Sequence, residues 1–300
     1  MLSKKFFFFS GKGGVGKTTI SSSIALSFSE KGFKTLLVSL DPAHSLSFVL
    51  EKDVGGKINQ VSSNLFAVEI DVEKEMKDYL KRVKKEAEKI VSPVILEEVK
   101  AQIDLAFYSP GAFELAILDV IYKIISENEM SYDKIVFDTA PSGYTLRLLS
   151  LPLLLGKWLD QIIKLRQEAL KYELYSDLKD KRNLTDVYSE DPVLSILKRR
   201  KTQFKTLRKK LLNLKETLFG IVTNPAVLPI KIAERTVKEL EASGIEVELI
   251  VFNRFRGKSL DEVEKVFPKK KVIIISEREK EPVGIKELRK IGKELLFQLM

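Results

Sequence analysis

The densest chemistry in the chain lies near its start. Gly11-Lys12-Gly13-Gly14-Val15-Gly16-Lys17-Thr18 fits the spacing G-x-x-x-x-G-K-[ST] and runs on into Thr19. Glycines at 11, 13, 14 and 16 let the backbone wrap closely around a polyphosphate, with N–H groups and a helix N-terminus aimed at the anion. In such a loop Lys17 meets the β- and γ-phosphates and the Thr18 hydroxyl binds Mg2+. Two carboxylates later close apolar runs. Asp41 follows Thr35-Leu36-Leu37-Val38-Ser39-Leu40, and Asp138 follows Tyr132-Asp133-Lys134-Ile135-Val136-Phe137. A carboxylate at the C-terminal edge of a parallel strand stands beside the ligand site of an α/β sheet. Asp41 is thus a candidate to orient or deprotonate an attacking water, and Asp138 a candidate metal carboxylate, acting directly or through water.

These residues need a frame that brings strand ends together. Phe6 to Phe9 reads as a buried strand, and Ile20, Ile24, Leu26 and Phe28 recur at helix-compatible spacing until Gly32. Strand, glycine loop and helix therefore follow in order. Further buried strands are expected at Leu36–Leu40, Leu65–Glu69, Ile135–Asp138, Gly220–Thr223, Glu246–Phe252 and Val272–Ile275, alternating with helices. That alternation predicts an α/β fold, a mainly parallel sheet flanked by helices. Residues 1–300 read as a single phosphate-loop domain, with a helical subdomain formed by insertions at about 72–130 and 150–217. The first insertion holds Ile117, Val120, Ile121, Ile124 and Ile125. The second begins with Leu148, Leu149, Leu151, Leu153, Leu154, Leu155, Trp158, Leu159, Ile162 and Ile163.

Composition removes several classes of function. The chain contains no cysteine and one histidine, His44, which excludes disulfides, thiol nucleophiles, iron–sulfur ligation and an imidazole-rich metal site. With 51 Lys and Arg against 42 Asp and Glu the net charge is +9, which permits an acidic partner without demanding one. No apolar stretch approaches the ~20 residues that span a bilayer, so a soluble, cytoplasmic protein is expected.

An ordinary phosphate loop needs no lysine directly after its first glycine, so Lys12 is informative. K-G-G-V-G-K-T-T, from Lys12 to Thr19, resembles the deviant Walker A loop of one ATPase class. That class includes the ParA and MinD partitioning proteins, nitrogenase iron protein, and the ArsA-like arsenite-pump and tail-anchored-protein-targeting ATPases. There the extra lysine reaches across a dimer interface to the partner's nucleotide, so the resemblance implies a homodimer sandwiching ATP and Mg2+, with Lys12 and Asp41 as catalytic residues. Asp41-Pro42-Ala43-His44-Ser45-Leu46-Ser47 and Asp138-Thr139-Ala140-Pro141-Ser142-Gly143-Tyr144-Thr145-Leu146-Arg147 look like switch I and switch II of the ArsA and targeting branch. They resemble ParA and MinD much less. Gly111-Ala112-Phe113-Glu114 after Pro110 echoes that branch's P-G-x-x-E element, and Glu281-Pro282-Val283-Gly284 its late turn. Ile250-Val251-Phe252-Asn253 matches the family strand whose terminal Asn reads adenine.

Three departures matter. Tyr144 stands where the family usually has His, and Ala226 where it has a Glu that contacts nucleotide. The zinc and metalloid sites of some members need cysteines, so no zinc is expected here and an arsenite-stimulated pump subunit is disfavoured. In the targeting branch the helical part forms an apolar groove for the transmembrane segment of a client membrane protein, with room for a membrane receptor as a further partner. Methionine, the usual lining of an adaptable groove, occurs only at Met1, Met76, Met130 and Met300. The runner-up reading is a ParA- or MinD-type organiser acting on DNA or membrane. Its candidate surfaces are the basic run Lys198-Arg199-Arg200-Lys201 with Lys205, Arg208, Lys209 and Lys210, and the amphipathic tail Ile285 to Met300. Each also reads as ordinary structure: a solvated helix face, and a closing helix packed on the sheet. The switch motifs disfavour nucleic acid as a partner.

Overall fold

A computed structural model describes residues 1–106, 108, 111–176, 183–256 and 266–299, with residues 106 and 142–147 described in backbone only. Pro110, Met300 and the side chains of Ser142, Tyr144 and Arg147, all named above, lie outside the described structure. Eight strands are β1 Phe6–Gly11, β2 Thr35–Ser39, β3 Asn59–Ser62, β4 Leu65–Glu69, β5 Lys134–Asp138, β6 Thr217–Thr223, β7 Leu249–Phe255 and β8 Lys271–Ser276. The helices are α1 Lys17–Glu30, α2 Leu46–Leu50, α3 Val72–Ala87, α4 Leu96–Ala106, α5 Ala112–Asn128, α6 Ser142–Ser176, α7 Leu184–Glu190, α8 Pro192–Leu211, α9 Val227–Ala242 and α10 Gly284–Leu299.

The strands form one sheet in the order β3-β4-β2-β5-β1-β6-β7-β8. Every pairing is parallel except β3 with β4, so the expected α/β class is observed. β3 is the strand the sequence reading missed. It is a four-residue edge strand with Asn59 and Gln60 exposed, and a polar edge gives no apolar run to detect. The central position of β1 follows from its composition, since a strand covered on both faces must be apolar throughout. Phe6 to Phe9 are all buried. Phe8 stacks on Phe137 of β5 at 4.4 Å and on Phe219 of β6 at 5.0 Å between ring centroids, because register places the three residues side by side.

The chain divides into two compact units. The first comprises Met1–Val72, Lys123–Leu148 and Lys210–Met300 and contains the sheet; the second comprises Glu73–Tyr122 and Leu149–Lys209 and is helical. In the sheet unit α1 is buried on all sides, and its serines let α10 approach closely. A Cβ on Gly292 would fall 2.0 Å from Ser27 Oγ and 2.5 Å from the Ser23 carbonyl oxygen. Leu288, Ile291, Leu295 and Leu299 of α10 are buried, so the apolar stripe of the C-terminal tail faces the core and the closing-helix reading holds.

Within the helical unit, Ile117, Val120 and Ile121 are core, and Ile124 farther along α5 is buried in the sheet unit. A second cluster joins Ile163, Leu170 and Leu174 of α6 to Val187 and Leu194. Much of the basic run on α8 is spent on ion pairs. Arg199 and Arg200 meet Glu86, Arg200 also approaches Asp119, and Lys201 meets Asp160. Arg82 donates to the same Asp119 at 2.5 Å, and the guanidinium groups of Arg82 and Arg200 both lie over the Tyr79 ring. Burial among these groups raises the Tyr79 hydroxyl above its ordinary pKa.

Candidate functional site

The residues singled out for chemistry stand at the C-terminal ends of parallel strands, where an open α/β sheet binds its ligands. The glycine loop links β1 to α1. Gly14 and Gly16 adopt φ of 80° and 92°, left-handed values that favour glycine. A Cβ built on Gly13 or Gly14 would meet nothing within 4 Å, so the loop borders open space there. The first turn of α1 directs its free N–H groups to this end of the helix. A polyphosphate fits such a cradle.

Lys17 and Thr18 begin α1 with little exposure. Lys17 Nζ lies 3.8 Å from Asp41 Oδ2, a separation suited to charge attraction rather than a hydrogen bond. The other oxygen, Asp41 Oδ1, accepts the Ala43 N–H at 3.0 Å and holds the turn after β2. Thr18 Oγ1 donates to Asp138 Oδ2 at 2.7 Å and lies 3.0 Å from Ser45 Oγ. A hydroxyl carries one proton, and that of Thr18 is committed to Asp138, so Ser45 is the donor in its contact with Thr18. Asp138 is held by its neighbours: Leu40 N–H donates to its carbonyl at 2.8 Å, and Thr139 Oγ1 donates to the Phe9 carbonyl at 2.8 Å.

Asp138 is fully buried, and its second carboxylate oxygen has no hydrogen-bond partner among the described residues. Burial pushes its pKa up to about 7, against the Thr18 hydrogen bond and the Lys17 charge, which both lower it. An orphaned buried oxygen beside a threonine hydroxyl is a hard donor set that fits Mg2+. That ion takes one or two protein oxygens and completes its shell with substrate phosphates and water. Among the described residues no group of three or more Asp, Glu or His side chains is gathered to hold a metal ion.

Asn253 is placed at β7, beside the loop. Its Nδ2 donates to the Val15 carbonyl at 2.9 Å, and a Cβ on Gly16 would lie 2.2 Å from that nitrogen. The amide thus braces the glycine loop and keeps Oδ1 as its acceptor. Beside it a cavity of about 230 Å3 is lined by Thr19, Asn253, Arg254, Ser276 and Pro282 among others. Lys12 is half-buried on the loop.

Two residues of this constellation escaped the sequence reading as participants. Ser45 was legible only as part of a motif. Glu69 closes the apolar run Leu65-Phe66-Ala67-Val68 just as Asp41 and Asp138 close theirs, and that shared pattern was the available signal. Its carboxylate accepts Leu46 N–H and Ser47 Oγ–H, both at 2.8 Å.

A parallel sheet ending in a glycine phosphate loop, with Lys17, Thr18 and two strand-end carboxylates gathered there, defines a phosphate-loop nucleoside triphosphatase. Residues 4–256 match the ArsA family model, described as anion-transporting ATPase, and the chain belongs to that family and is an ATPase. It is 36% identical to a protein of Aquifex aeolicus whose name is arsenical pump-driving ATPase 2, over 97% of this chain and 99% of that one. It is 31% identical to ATPase GET3C of Arabidopsis thaliana, over 85% of this chain and 68% of the relative. ATPase GET3 of Podospora anserina is 31% identical over 98% of this chain and 88% of its own length.

Proposed function

We propose that the ATPase works as a Mg2+-dependent homodimer whose opening and closing, driven by ATP binding and hydrolysis, binds and releases a hydrophobic client. The proposed client is the transmembrane segment of a tail-anchored membrane protein on its way to a membrane, where a receptor would take it up. Residues 1–300 act in this reading as one ATPase domain carrying a helical client-binding part. The observation that carries it is an apolar surface on the helical unit. Val94 and Ile95, Leu105 and Tyr108, and the α6 residues Leu154, Trp158, Leu165, Tyr172 and Tyr175 are all exposed, Trp158 at 59%. Leu154, Trp158, Leu165 and Tyr172 recur at i+4 and i+7 spacing along α6, and an exposed apolar stripe of that kind suits an apolar helix. The basic run gives the DNA-binding alternative little support, because Arg199, Arg200 and Lys201 are already paired with carboxylates. No helix among the described residues is long and apolar enough to cross a membrane itself.

In the proposed mechanism the backbone of Gly13 to Gly16 and the side chains of Lys17, Thr18 and Thr19 bind the phosphates. Lys12 reaches the partner subunit's nucleotide. Asn253 turns its Oδ1 toward the adenine amino group, a donor that guanine lacks at that position. Asp41 orients the attacking water and accepts its proton as the bond to the γ-phosphorus forms and the bond from that phosphorus to the β–γ bridging oxygen breaks, releasing ADP and phosphate. Thr18 and Asp138 would hold Mg2+, Asp138 directly or through water, and a bound ion would supply charge neutralisation at the phosphate oxygens.

The test is co-expression with a tagged protein ending in one apolar helix, beside a control with a scrambled polar tail, followed by detergent-free pull-down. Capture of the apolar tail alone is expected. Leu154→Asp with Trp158→Asp should abolish capture while leaving ATP turnover intact, since both side chains are exposed. The buried Ile117 and Ile121 are unsuitable probes, because a charge there would unfold the unit. Active ATPase without capture would remove the client reading.

A further inference from the structure

The loop that carries Asp41 leaves the sheet beside Glu69 and returns to it. Ser39, the last residue of β2, pairs in register with Glu69 of β4, and Ile70 N–H donates to the Ser39 carbonyl at 3.0 Å. The chain then runs through Asp41, Pro42, a left-handed His44 with φ of 47°, and Ser45. It is caught again where Leu46 N–H and Ser47 Oγ–H donate to the two oxygens of the Glu69 side chain. Glu69 is 6% exposed, and hydrogen bonds to an ionised acceptor are the strong ones. Ser47 Oγ in turn accepts Val54 N–H at 3.3 Å, which ties the following segment to the same point. Between the two attachments lie the residues that touch the phosphate machinery: Asp41 against Lys17, and Ser45 against Thr18.

We propose that Glu69 is a positioning residue for hydrolysis, clamping the Leu46–Ser47 turn so that Asp41 and Ser45 are held toward Lys17 and Thr18. The inference rests on the reading of this constellation as the ATP-hydrolysing site. Glu69 touches neither nucleotide nor water; it acts through the loop. A fixed β-strand end supplies a rigid support, while Pro42 and the left-handed His44 restrict the few torsions left in the loop. Loss of the clamp frees Asp41 to move by an ångström or so, a displacement that costs turnover and leaves substrate affinity, carried by the glycine loop and Lys17, largely intact.

Glu69→Ala, Glu69→Gln and Ser47→Ala would be made in the full chain and in an Asp41→Asn background, with kcat and KM for ATP measured alongside a thermal melt. Glu69→Ala should lower kcat by about 10- to 100-fold, with KM nearly unchanged. Glu69→Gln, which keeps one acceptor for Leu46 N–H, should recover part of the loss, and Ser47→Ala should show a smaller loss of the same kind. In the Asp41→Asn background Glu69→Ala should lower the residual single-turnover rate no further. Additive loss in that background, or a drop in the fraction of active protein with kcat per active site unchanged, would overturn the proposal. If Glu69→Ala does not fold, the kcat of Glu69→Gln and Ser47→Ala decides. Asp41→Asn alone with normal turnover would sink the site reading and the proposal together, whereas an impaired Asp41→Asn beside a fully active Glu69→Ala would sink the proposal alone.

Discussion

Buried polar atoms at the phosphate end of the sheet are arranged for a ligand rather than for stability. A fully buried carboxylate with one oxygen unpaired among the described residues, as at Asp138, raises the free energy of the fold, and a cation beside Thr18 would relieve it. Asn253 serves the fold and, in the proposed mechanism, the site. Its amide nitrogen must face the Val15 carbonyl, because that oxygen can only accept, and the proposal assigns the remaining Oδ1 to the base. Asn253→Ala is therefore expected to destabilise the sheet unit by about 1–3 kcal/mol, from an unsatisfied buried carbonyl. The same change should raise KM for ATP and erode the preference for ATP over GTP. Denaturant melts with a comparison of the two nucleotides check both halves.

Among the elements, the strands do the positioning and the helix ends do the holding. β8, at the sheet edge, is blunted by α10: Gln298 accepts from Ile274 N–H at 3.0 Å and donates to the Ile274 carbonyl at 2.8 Å, standing in for a missing strand. In the helical unit Asp191 stands before α8, accepts Leu194 N–H at 2.7 Å and meets Arg166 Nη2 at 2.7 Å. Burial works against its ionisation, but the Arg166 hydrogen bond and the backbone donors outweigh burial and hold the carboxyl below its ordinary pKa. A depressed carboxyl stabilises the fold wherever the unfolded chain's Asp is already ionised, above about pH 4. That contribution disappears as pH falls from there through the folded value. Asp191→Ala should cost about 1–2 kcal/mol at neutral pH, and the difference from the parent should shrink on acidification, as read by urea melts at several pH values.

For the molecule as a whole, α1 is the shared structural axis of the sheet unit, since it begins at the phosphate loop and carries α10 on its serine face. Gly292→Val would force its side chain into the Ser23 carbonyl and Ser27, and overpacking of this kind costs about 1–3 kcal/mol. Hydrogen exchange should then show faster opening of α10 than of β1. What the sequence determined by itself is the part of the protein encoded locally. The phosphate loop, the buried strands and the carboxylates that end them are contiguous patterns whose chemistry depends on residue type and spacing. Seven of the eight strands were legible in this way, and β3 was not, because an exposed edge needs no apolar signature. Tertiary structure alone decided which insertion residues are core and which are surface. Ile117 and Ile121 go inside while Leu154 and Trp158 stay out, although all four are equally apolar in the sequence. It also decided that Arg199 and Arg200 of the basic run meet Glu86 and Asp119, and that Glu69 reaches across to the loop after β2. Burial and pairing depend on which elements become neighbours, and that is a property of the folded packing which local spacing does not carry.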